Sequence, residues 1–159
     1  MTTAIDAQTR APVVAGPGED RAPHRIRLQG HDLLVKAMGG DTGGAFAIAV
    51  MEARPMSGPP LHVHEREDEW FYILKGELTF QVDDARFTAG PGVSVFAPRH
   101  IPHTWQNLTD GVVEALVMAA PAGIEEFFLT VSGRDLGAEE TNLLATEFGI
   151  RLIGPPLGR

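Results

Sequence analysis

Between residues 25 and 119 short apolar runs alternate with breaks rich in glycine, proline and aspartate. The runs are 25–28, 33–37, 45–53, 61–64, 69–74, 77–82, 85–88, 93–97, 103–106 and 112–119. Runs of this length, each ended by turn-forming residues, are the mark of an all-β sandwich or barrel. The breaks carry their own chemistry. Gly39-Gly40-Asp41-Thr42-Gly43-Gly44 supplies positive φ angles for a loop, and Lys75-Gly76 closes one strand before the next opens. Asp83-Asp84 makes a short hairpin, and Gly90-Pro91-Gly92 turns the chain again. The glycine-rich stretch is not a phosphate cradle, since no Lys-Ser/Thr follows and no helix is signalled there.

The pattern changes after residue 120. Ile124, Phe127, Phe128 and Val131 recur at spacings of three and four, which predicts a helix over 123–131. Glu125 and Glu126 fall in its first turn, where the helix dipole favours anions. A second helix is predicted over 138–148, with Glu139 and Glu140 at its start and Gly149 as its stop. The tail from Ile150 reads as extended. Residues 1–23, rich in Ala, Pro, Gly and Thr, read as a flexible or draped arm that could add a strand to a partner subunit. The domain plan is therefore an arm over 1–23, a β-barrel over 24–120, and helices with a tail over 121–159.

At 159 residues and 43% hydrophobic content the chain suits a single globular domain. A net charge of −8 argues against nucleic acid or an anionic membrane as partner. The apolar runs fall well short of the roughly 20 residues a membrane helix needs. Residues 1–20 carry no apolar signal-peptide core, so a cytoplasmic protein is expected. With no cysteine, thiolate sites and iron–sulfur clusters are excluded.

The chemistry sits in two segments. His62-Val63-His64 is followed by Glu69 and then Gly76; the other runs from Gly92 through Pro98, His100 and His103 to Asn107. In a strand His62 and His64 share a face, so both imidazoles can reach one ion. A carboxylate and a third imidazole complete a set of three nitrogens and one oxygen. That set suits Fe, Ni, Mn, Co, Cu or Zn as a divalent ion rather than Ca(II). The first pattern alone would arise by chance in about two of a thousand sequences of this composition.

These segments resemble the paired motifs of the cupin superfamily, over roughly residues 45–119. The resemblance implies a jelly-roll barrel, a double-stranded β-helix, with His62, His64, Glu69 and His103 as metal ligands. Two departures stand out. Gly58 lies closer to His62 than the family pattern has it, and His100 stands where glycine is usual. That substitution either tightens a turn or puts a titratable group at the pocket mouth. The C-terminal part, from Glu125-Glu126-Phe127-Phe128 to Gly154-Pro155-Pro156-Leu157, is similar to small bacterial cupins described as quercetin-dioxygenase-like. For that group the implied chemistry is O2-dependent cleavage of a flavonol or related enol.

Alternation from the ligands predicts the pocket. Phe71 and Ile73 follow Glu69 inward, and Trp105 and Asn107 follow His103. Across 45–53 either Phe46, Ile48 and Val50 or Ala47, Ala49 and Met51 face inward. Met51, Phe71, Trp105, Asn107 and His100 are the candidate substrate contacts, and Glu69 is the candidate base. Trp70, Tyr72 and Leu74 face outward, either beneath other elements or at a homodimer interface. One of Glu65, Glu67 and Asp68 could orient a ligand imidazole. His24 and His31 lie outside both motifs and are assigned no role. The leading expectation is a metal-dependent dioxygenase acting on a small molecule with O2. The alternatives are a non-redox isomerase, cyclase or lyase using Glu69 or His100, and a metal-anchored binding protein. A phosphosugar substrate is disfavoured, because Arg99 is the sole basic residue beside the second motif.

Overall fold

The computed structural model of the protein describes residues 11–28 and 30–158. Two antiparallel sheets face each other across one core. The six-stranded sheet runs β1 (Ile26–Arg27), β2 (His31–Ala37), β3 (Ala47–Ala53), β10 (Val113–Ala120), β5 (Asp68–Lys75), β8 (Ser94–Ala97). The five-stranded sheet runs β11 (Ile150–Gly154), β4 (Leu61–His64), β9 (His103–Gln106), β6 (Leu78–Val82), β7 (Ala85–Ala89). Apart from the β6–β7 hairpin, successive strands from β3 to β10 alternate between the two sheets, as in a jelly roll.

Period-two burial fixes which face each strand gives the core. On β3 the buried positions are Ala47, Ala49, Met51 and Ala53, which decides the register that alternation alone left open. In the same sheet Phe71 and Ile73 of β5 share the core with Leu78 and Phe80 of the facing β6, the Phe71 and Phe80 rings 5.3 Å apart at 66°. Each such side chain contributes roughly 1.5–3 kcal/mol by leaving water.

The glycine-rich break differs from expectation. Gly39–Thr42 forms one helical turn, α1, capped by Gly43 at φ 64°. Its carboxylate Asp41 accepts from the Met38 N–H at 3.0 Å and so satisfies the start of the turn. At the other end of the chain α2 (Ile124–Val131) and α3 (Ala138–Glu147) follow the barrel as predicted. Ile124, Ala145 and Ile150 bury together with Ala119, and Phe127 lies 5.7 Å from Phe148. The extended tail becomes β11 and pairs with β4, Ile150 opposite His64 and Leu152 opposite His62.

The arm is held rather than free from Gly16 onward. Lys36 Nζ donates to the carbonyls of Gly16, Pro17 and Glu19, and Asp20 Oδ1 accepts from the Val35 N–H at 3.1 Å. It lies along β2 of its own barrel. Strand exchange by the first ten residues lies outside the described part of the chain.

Candidate metal centre

The four proposed ligands come together. His62 and His64 project from β4, Glu69 from β5 and His103 from β9, and one ligand atom of each lies within 4.8 Å of the others. All four are buried. His62 stands opposite His103 in the β4–β9 register, while Glu69 reaches in from the other sheet.

Backbone carbonyls set two of the imidazoles. His62 Nδ1 is 2.7 Å from Pro60 O, and His103 Nδ1 is 3.1 Å from Ile101 O. A carbonyl can only accept, so each Nδ1 carries a proton; His62 Nε2 then keeps its lone pair, while His103 Nε2 donates to Glu69 Oε2 at 3.1 Å. Both nitrogens of His64 are buried without a hydrogen-bond partner. Its Nε2 lies 3.5 Å from Glu69 Oε2, and its Nδ1 lies 3.7 Å from Glu67 Oε2, itself buried and unpartnered. Orphaned imidazole nitrogens converging on a carboxylate are what a divalent transition ion satisfies, and this donor set fits one.

The charges inside the cluster oppose one another. Burial, then the neighbouring His103 and His64, push the His62 imidazole down to about 3. Burial would raise the Glu69 carboxyl, but attraction to His64 and the hydrogen bond from His103 outweigh it and hold it at about 2. For His103 burial pulls downward, yet the 3.1 Å contact with Glu69 leaves it above its ordinary value.

A second pair clamps the two motifs together. Asp68 Oδ1 accepts from the Arg99 backbone N–H at 2.8 Å and from Nε at 3.0 Å, and Oδ2 accepts from Nη2 at 2.9 Å. The His100 N–H adds a bond to His64 O at 2.8 Å. These contacts place the second motif's turn directly over the first motif's strand.

Residues 49–119 match the family model described as "Cupin domain". The fold is the cupin fold. The barrel is similar to KdgF from a Halomonas species, with a TM-score of 0.58 and 16% identity over 65% of this chain and 90% of that one. It is also similar to a predicted oxalate decarboxylase from Thermotoga maritima, with a TM-score of 0.59 and 23% identity over 70% and 99%. A third likeness is a sugar phosphate isomerase from Silicibacter pomeroyi, with a TM-score of 0.51 and 22% identity over 64% and 69%. No curated protein matches the chain in sequence.

Inside the cupin barrel a pocket of about 550 Å³, its open mouth included, borders the cluster at Glu69. Phe71 and Trp105 line it, as alternation predicts, and so does Met51, from the β3 register that alternation left open. Asn107 does not. It falls one residue past the end of β9, and its side-chain amide donates to the carbonyls of Ala53, Arg54 and Gly111 at 3.0, 3.1 and 2.8 Å. Its oxygen accepts from Thr109 N and Oγ1, so Asn107 is a latch between turns with no capacity left for substrate. His100 is exposed and sits at φ 68°, outside the pocket lining. The left-handed backbone explains why glycine is usual there, and His100 belongs to the turn.

Two residues, Glu125 and His31, escaped the motif reading, and a third, Glu67, was one of three acidic candidates it left open. Glu67 is the acidic residue placed against a ligand imidazole, whereas Asp68 is taken by Arg99. Glu125 of α2 lines the pocket and is buried, its two oxygens accepting from Gly39 N at 2.9 Å and Gly123 N at 2.7 Å. His31 also lines the pocket, in line with Leu33 and Val35 on β2. Extending the alternation backward from Leu33 would have found it. Among the described residues no helix is long and apolar enough to cross a membrane.

Proposed function

We propose that this cupin is a metal-dependent dioxygenase acting on a small, flat enol or aromatic molecule, as in the quercetin-dioxygenase-like group that its C-terminal part resembles. One observation carries the reading. Glu69 belongs both to the ligand cluster and to the wall of a pocket otherwise built mainly from aliphatic and aromatic side chains. A bound transition ion would supply Lewis acidity toward an enol oxygen and, if redox-active, reactivity toward O2. The protein's share is placement. Phe71 and Trp105 each stand two residues beyond a ligand on their strands, so they hold the substrate plane beside the cluster. Glu69 is the carboxylate positioned to accept the proton of the substrate's enol O–H. Oxygen uptake by metal-loaded protein with quercetin and simpler enols tests this. Uptake should vanish in Glu69→Ala and His103→Ala; turnover of the same substrates without O2 would refute the dioxygenase reading.

A non-redox isomerase or lyase is the second reading, favoured by the presence of His31 beside Glu69 in one pocket, two groups able to move protons. A phosphosugar is disfavoured on charge. Among the described residues no lysine or arginine lines the pocket, and Arg99 is committed to Asp68.

We further propose a cytoplasmic homodimer built on the outer face of the six-stranded sheet. Trp70 and Tyr72 stack there, ring centres 5.9 Å apart, beside Met118, Leu116 and Phe96. Tyr72 and Phe96 are 37% and 58% exposed, and neither terminal helix covers them. Sedimentation of wild type against Phe96→Glu checks it, a monomeric wild type being the contrary result.

A further inference from the structure

The pocket presents three titratable side chains, Glu69, Glu125 and His31. Two are spent. Glu69 faces the imidazoles of His64 and His103, and each Glu125 oxygen already accepts a backbone N–H. His31 is different. Its Nδ1 is buried without a partner, and no hydrogen bond among the described residues reaches its Nε2. The ring is nevertheless fixed, set edge-on against Trp105 at 5.0 Å between centres and 78° between planes. It stands on β2 with Leu33 and Val35, pocket-lining residues that offer nothing polar.

A fixed imidazole with unused hydrogen-bonding capacity on an apolar wall is unfavourable for the fold unless something completes it. Burial, with Arg54 adding to it, holds the group neutral down to about pH 4. A neutral imidazole offers one donor, one acceptor and no charge, so either nitrogen can pair with a hydroxyl, whereas a carboxylate or phosphate could use only the N–H.

We propose that His31 anchors substrate: it hydrogen-bonds a phenol-type hydroxyl at the end of a flat apolar molecule whose other end reaches Glu69. Trp105 links the two ends, lying two residues past His103 and in ring contact with His31. The ligand would therefore be a planar molecule with oxygen at both ends and a bare hydrocarbon middle. The inference rests on the reading of this pocket as the substrate site, but not on the identity or presence of the metal.

The test uses 4-methylphenol and toluene, which differ by the hydroxyl alone. Both are titrated into full-length protein, metal-free and Zn(II)-loaded, with the His31 side-chain nitrogens followed by NMR. The wild type should prefer 4-methylphenol by about three- to tenfold, the range one net hydrogen bond supplies. Its binding should also shift the His31 resonances. His31→Phe should erase the preference and His31→Gln should keep part of it, with melting temperatures confirming that both variants fold. Equal affinity of the wild type for the two probes, no binding of either, or unmoved His31 resonances would each overturn the proposal. Failure of the metal reading would show separately, as absent metal with the probe preference intact.

Discussion

His62 lies directly opposite His103, and this is the single registered pair between β4 and β9. The adjoining β6–β9 seam carries four registered pairs. The β4–β9 seam is therefore weak in backbone pairing just where two candidate ligands from distant motifs meet. An ion held by both imidazoles would join the strands that the ladder does not.

Metal should accordingly stabilise the fold. At a free concentration of about one hundred times Kd, the gain is ~2.7 kcal/mol, or about 5–10 °C in Tm for a chain of this size. Calorimetry of chelator-treated and reconstituted protein measures it, and amide exchange should slow most on β4. Superimposable melting curves would contradict the site.

Glu67 should tune that site without building the fold. Its carboxylate lies 3.7 Å from His64 Nδ1, where an acceptor orients the ring and strengthens its other nitrogen as a ligand. Glu67→Gln preserves shape and removes charge, and should weaken metal binding about tenfold or more. Competition with a coloured chelator reads this. Unchanged affinity would leave Glu67 a structural residue.

Asn107→Ala should do the opposite. It strips hydrogen bonds from three carbonyls and one backbone N–H at a fully buried position. A stability loss of about 3 kcal/mol is expected in urea unfolding, with metal stoichiometry retained by the folded fraction. A loss of metal without a loss of stability would restore Asn107 to the pocket.

Much of this architecture was legible in the residue pattern, for a physical reason. Strand side chains alternate strictly, so His62, His64, Phe71 and Trp105 follow from any one inward neighbour. The reading failed where a strand ended. Asn107 continues the phase of Trp105, but past Gln106 the backbone leaves the ladder and its side chain turns to cap loops. His31 failed for the reverse reason: it opens β2, and nothing in its own residue type separates a pocket imidazole from a surface one. The α1 turn was hidden because glycine disfavours helix; it is held by contacts distant in sequence or particular to the turn, among them Asp41 on the Met38 N–H and Glu125 on the Gly39 N–H.

Acid should weaken the metal-free protein through its buried histidines. His31 is lowered to about 4 and His62 to about 3 from the ordinary 6.5. Between those values and 6.5 the unfolded chain binds protons that the folded chain refuses, so stability rises with pH and falls on acidification. For His31 the loss between pH 6.5 and 4 is of the order of 3 kcal/mol. Urea midpoints across this range should slope downward toward acid, and more gently in His31→Gln. A parallel slope in the variant would assign the effect to other groups.

The candidate ligands come from both sheets, so an ion bound there would act as a gauge block. Glu69 is carried by the same strand as Phe71, and His103 by the same strand as Trp105. Metal–ligand bond lengths would therefore set the spacing of the two aromatic walls. Replacing one ion with another of different radius would widen or narrow the slot by a fraction of an ångström, a scale at which packed rings discriminate. Which molecules fit would then depend on which metal a cell supplies, before any bond is made or broken.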